Sequence, residues 1–97
     1  MTRRNTNPLL DRHHREARRL LDQLTGAGGR PSRREMTGAR AKLAYHLTQH
    51  QLIADAEGLH LPRRDWMLRA LRDATDDALP AVARLLRREL AERPRAA

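Results

Sequence analysis

The sequence predicts an all-α domain, a small antiparallel four-helix bundle, and three observations carry that reading. Apolar residues recur at three- and four-residue spacing through four separate windows, the pattern of amphipathic helices. β-Branched residues are few, and apolar and polar residues nowhere alternate as they do along a half-buried strand. Glycine and proline punctuate the windows, at Gly26–Pro31, at Gly58–Pro62 and again at Pro80.

The first helix starts at Asn7-Pro8, an N-cap followed by proline at the first helical position. Leu10, His13, Ala17, Leu20, Leu21 and Leu24 fall on one face, and Arg12, Arg15, Arg18, Arg19 and Asp22 point away from it. It ends near Thr25-Gly26. The second and longest helix occupies Ser32–Gly58. Ser32 with Glu35 forms a capping box, in which each side chain satisfies an otherwise unpaired amide, and Gly58 is the left-handed stop. Met36, Ala39, Leu43, Leu47 and Ala54 make its main stripe, with His46 and His50 beside it. A weaker stripe of Ala41, Tyr45, Leu52 and Ala56 lies opposite, so this helix is expected where the others meet. Thr48 and Gln51 are a second possible capping box, but no glycine or proline lies between Ala39 and Glu57, which favours one continuous helix.

A third helix is predicted from Arg63 to about Ala78, with Met67, Ala70, Leu71, Ala74 and Ala78 inward and Trp66 flanking. Asp76-Asp77 and Pro80 mark its end or a kink. The fourth runs from about Pro80 to Glu92 and buries Val82, Ala83, Leu86 and Leu90. Residues 1–6 and 93–97 read as flexible tails on a single domain spanning 1–97. A chain of this length buries only roughly 60–65% of its unfolded surface. With one Trp, one Tyr and no Phe, the core is thin, which favours closely packed helices or a dimer that shares the burial.

Charge narrows the choice of partner. The formal charge is +8, and Lys42 is the only lysine among twenty basic residues. Residues 1–34 carry a net +6, residues 35–62 a net −1, residues 63–79 zero and residues 80–97 a net +3. Such a balance attracts polyanions. Absence of cysteine removes thiolate metal sites and thiol catalysis. No apolar run approaches the roughly 20 residues of a membrane span, and the N-terminus leads into no signal-type apolar segment. A cytoplasmic protein is expected.

Three constellations could carry chemistry. Arg12, Arg15, Arg18 and Arg19, with Arg30, Arg33 and Arg34 on and after the following loop, can track a phosphate backbone without reading bases. The plain alternative is a solubilising face balanced by Asp11, Glu16 and Asp22. Leu52 to Leu59 has the Ala-x3-Gly-Leu spacing of a helix-turn-helix, which would set Arg63, Arg64, Arg69 and Arg72 on a recognition-type helix. The long turn through Leu61-Pro62 and the shifted apolar register of the third helix argue against it. Finally, His46 and His50 share a helix face at i, i+4, a chelating geometry that needs a third ligand, for which His13 or His14 is the candidate. Partly buried, space-filling histidines are the simpler account. No nucleophile–base set can be assembled: Ser32 is a cap, and the glycines at 26–29 lack a following P-loop Lys-Ser/Thr.

Leu10–Leu24 and Leu43–His50 resemble the first two helices of the hemerythrin-like HHE cation-binding family. In that resemblance His14 takes a ligand place, His46 matches the second-helix histidine, and His50 stands where a glutamate belongs. The third helix offers Asp65-Trp66 and no histidine, and the fourth has Arg88-Glu89 instead of histidine. The resemblance implies a bundle with a depleted or lost di-iron centre, holding iron or another divalent metal through His14, His46 and His50.

Together these readings favour a non-enzymatic, regulatory or accessory protein without a cofactor, binding nucleic acid or an acidic protein surface through its arginine-rich helix faces. A degenerate hemerythrin-like metal or oxygen sensor and a helical adaptor for a protein partner are the alternatives.

Overall fold

The computed structural model describes residues 8–26, 28–60, 65–90 and 95–96. It contains four helices, α1 (Pro8–Thr25), α2 (Arg33–Ala56), α3 (Asp65–Asp73) and α4 (Leu79–Leu90). Two two-residue strands, β1 (Leu59–His60) and β2 (Arg95–Ala96), pair antiparallel, Leu59 opposite Ala96 and His60 opposite Arg95. The small helical bundle predicted from the sequence is what forms. No helix among the described residues is long and apolar enough to cross a membrane.

The first two helices form an elongated antiparallel hairpin. Gly26, at φ 84°, turns the chain out of α1, and Gly58, at φ 69°, turns it out of α2, both in the left-handed region that only glycine enters without strain. The Ser32 hydroxyl accepts from the Glu35 amide while the Glu35 carboxylate accepts from the Ser32 amide, so the capping box is complete. Hydrogen bonding from Ser32, its amide first and then its hydroxyl, holds the Glu35 carboxyl below its ordinary value. α2 runs unbroken past Thr48, and the Gln51 side chain donates to Asp55 at 3.1 Å instead of closing a second capping box.

Leu20, Leu21 and Leu24 of α1 and Met36, Leu43 and Leu47 of α2 build the main core with Met67, Leu71, Leu79, Leu86 and Leu90 from α3 and α4. Leu10 and Ala54 form a separate small cluster at the other end of the hairpin, joined by Ile53 and Leu59. Most of the packing runs through α1, which lies against both α2 and α4; α2 touches α1, α3 and β1. The long helix is therefore one-sided, which corrects the two-stripe expectation. Ala41, Tyr45, Leu52 and Ala56 are all exposed, Tyr45 and Leu52 each to 56%.

A second correction concerns the third and fourth helices. The sequence reading carries the third helix to about Ala78 and starts the fourth at Pro80; instead α3 ends at Asp73 and α4 begins at Leu79. Thr75 makes the break, since its carbonyl accepts from the Ala78 and Leu79 amides and its hydroxyl from Ala78 at 3.2 Å. Pro80 then sits in the first turn of α4, where its missing N–H costs nothing. The predicted starts at Arg63 and the predicted end at Glu92 lie outside the described residues, as do residues 1–6. Of the expected C-terminal tail, 93, 94 and 97 also lie outside, and Arg95–Ala96 pair with β1 instead of trailing free.

Arg40 ties the two halves together. Its guanidinium donates to the Leu71 carbonyl, to the Ala74 carbonyl at 2.8 Å and to the Asp76 carboxylate at 3.1 Å, which closes the C-terminal end of α3 from the side of α2. Charged hydrogen bonds to a partly buried helix end contribute about 1.5–3 kcal/mol. We expect Arg40→Met to lower the unfolding free energy by about 2–3 kcal/mol in urea titration. A loss below about 0.5 kcal/mol would show that the clamp is not a structural tie.

Candidate functional site

Two features occupy the α1 side of the bundle. The first is an arginine face. Because Leu10, Ala17, Leu20, Leu21 and Leu24 turn inward, helical periodicity places Arg12, Arg15, Arg18 and Arg19 outward, and all four are exposed. With Glu16 and Asp22 they line one shallow, open concavity. Both of these carboxylates already have partners. Glu16 accepts from Arg19 through Nε at 3.1 Å and Nη2 at 3.0 Å, and this contact holds its carboxyl below the ordinary value. Asp22 pairs with Arg87 of α4. Arg12, Arg15 and Arg18 make no ion pair among the described residues.

The other predicted arginines fare differently. Arg30 and Arg33 lean towards Asp77 and Asp76 at 3.5 Å, loose contacts between mostly exposed side chains. Arg34 is exposed at the start of α2, and Arg69 and Arg72 are exposed on α3, with Arg72 beside Asp73 at 3.1 Å. Arg63 and Arg64 lie outside the described residues. The structure thus separates the α1 face from Arg30 and Arg33, which lean on the acidic α3–α4 turn, and from Arg34, Arg69 and Arg72, exposed on α2 and α3.

The second feature is a histidine layer. Four of the five histidines lie at one level of the α1–α2 seam, between the Ala17–Leu47 level of the main core and the Leu10–Ala54 cluster. They meet in two pairs. His13 Nδ1 lies 2.9 Å from His46 Nδ1, and the two ring centroids are 5.1 Å apart. His14 faces His50 with centroids 5.5 Å apart, and His50 is only 1% exposed. Tyr45 stands edge-on to both rings of the first pair, at 5.8 Å from His13 and 5.1 Å from His46. The predicted ligand trio of His14, His46 and His50 is therefore divided between two pairs. Among the described residues no group of three or more His, Cys, Asp or Glu is arranged to hold a metal ion. The reason is the antiparallel register: His46 and His50 are one turn apart and face successive residues of α1.

A 2.9 Å contact between two imidazole nitrogens is a hydrogen bond only when one carries a proton and the other does not. Sequence periodicity could not show this pairing. Arg40 and Arg87 likewise carry no sequence signal, since each matters only through a residue on another helix. No family model, no curated protein and no solved structure matches the chain.

Burial holds His46 below its ordinary value, and the neighbouring positive charge of His13, Arg19 and Arg12 adds to this while Glu16 opposes it. The folded state thus favours neutral His46. Its contribution to stability is complete above the unfolded value of about 6.5 and is lost as pH falls through the lower folded value. Stability should decline as pH falls below about 6.5, and His46→Gln should decline less steeply. Parallel pH profiles for the two proteins would contradict this.

Proposed function

We propose that this chain is a non-enzymatic, cytoplasmic binding protein whose α1 arginine face holds a polyanion, with duplex nucleic acid as the partner class. One observation carries the reading. The carboxylates in the α1 concavity are engaged by Arg19 and Arg87, which leaves the guanidiniums of Arg12, Arg15 and Arg18 for an outside anion. Spaced by about 4.5 Å along the helix axis, these groups can each reach a different phosphate oxygen. The face has no aromatic side chain among its lining residues, so it offers charge and hydrogen bonds and no stacking platform. Binding of this kind positions a partner without reading sequence.

The test is a salt titration of duplex binding by fluorescence anisotropy. The affinity should fall steeply with salt, and Arg12/Arg15/Arg18→Ala should reduce the slope of log K against log salt by about two to three. Arg30/Arg33/Arg34→Ala should change it less, because Arg30 and Arg33 already lean on Asp77 and Asp76. Unchanged affinity and slope in the α1 triple variant would remove the reading.

A further inference from the structure

We propose that Arg84 and Arg88 of α4 form a second row of the anion-binding surface, an assignment that rests on the α1 face being the anion site. The two rows, one on each helix, hold the two strands of a duplex on either side of a groove. The ion pair between Arg87 and Asp22 sets the arrangement. Asp22 belongs to the α1 concavity, so the flank of α4 that carries Arg87 lies beside the arginine face. Leu79, Ala83, Leu86 and Leu90 turn inward, and helical periodicity then puts Arg84 and Arg88 on the same flank as Arg87, about 6 Å apart along the axis. Glu89, the only acid of α4, falls on the opposite flank. Arg84 and Arg88 are both exposed, and neither makes an ion pair among the described residues.

Unpaired guanidiniums on α1 and on α4 therefore share one side of the molecule. The Asp22–Arg87 pair lies between them and adds no net charge. The axes of packed helices stand about 8–10 Å apart. That is the scale of the grooves of a duplex, about 6 Å wide for the minor and about 12 Å for the major. Two rows at this separation can each follow one of the strands that border a groove, through backbone contacts that need no base readout. A single strand offers one line of phosphates and engages one row, the α1 row with Arg12, Arg15 and Arg18.

The test follows the full chain by fluorescence anisotropy over a range of salt, with a duplex and a single strand of the same sequence and length. Arg84/Arg88→Ala should lower the duplex slope of log K against log salt by about two and leave the single-strand slope unchanged. Both side chains are exposed, so the variant should keep the wild-type thermal midpoint. Arg69/Arg72→Ala removes the same charge from α3, which does not pack on α1 among the described residues, and should change the duplex slope far less. An unchanged duplex slope in Arg84/Arg88→Ala, an equal fall in its single-strand slope, or an equal effect of Arg69/Arg72→Ala overturns the second row. Any of these results together with weakened binding in Arg12/Arg15/Arg18→Ala leaves the α1 face standing, so the two failures are distinguishable.

Discussion

Everything in this fold is placed by the antiparallel seam between α1 and α2. Leu10 meets Ala54 at one end, and Leu20, Leu21 and Leu24 meet Met36, Leu43 and Leu47 towards the other. Burying leucine side chains of this kind contributes about 1.5–3 kcal/mol each before the entropy of ordering the chain is counted. Only this register puts His13 against His46 and His14 against His50. It also decides where α3 and α4 can go: α4 lies along α1, and α3 is held to α2 by the Arg40 guanidinium on the carbonyls of Leu71 and Ala74.

The charge distribution follows from that arrangement. α1 is packed by α2 and by α4, so its remaining face must be polar, and the chain fills it with arginine. α4 approaches closely enough for Arg87 to engage Asp22, and Glu16 is held by Arg19 within α1. Glu16 and Asp22 are thus engaged within the molecule, and the face keeps a surplus of guanidinium. By contrast, Arg30 in the loop before α2 and Arg33 at its first residue stand opposite Asp77 and Asp76, where attraction within the molecule competes with any outside anion. A total charge of +8 conceals this difference.

Helix ends were legible because they are local. Ser32 and Glu35 lie three residues apart, and Gly26 and Gly58 terminate helices through their own backbone freedom. The break before α4 was less so. Asp76, Asp77 and Pro80 mark the region in the sequence, but Thr75 makes the turn, and a threonine hydroxyl looks alike in a helix and at a cap until its partner is known. The outer stripe of α2 misled for a related reason. Ala41, Tyr45, Leu52 and Ala56 have helical spacing, and spacing says which residues share a face without saying whether anything covers it.

The sequence by itself determined the helical class, four amphipathic helices, the ends of α1 and α2, and the concentration of positive charge on the first helix. These depend on periodicity and capping within a few residues of chain. Tertiary structure alone decided that His46 faces His13 while His50 faces His14, that Arg40 closes α3, and that Arg87 occupies Asp22. Each of those contacts depends on the axial register between two helices. Side-chain packing sets that register, and a shift of one turn, about 5.4 Å, would leave every helical pattern in the sequence unchanged.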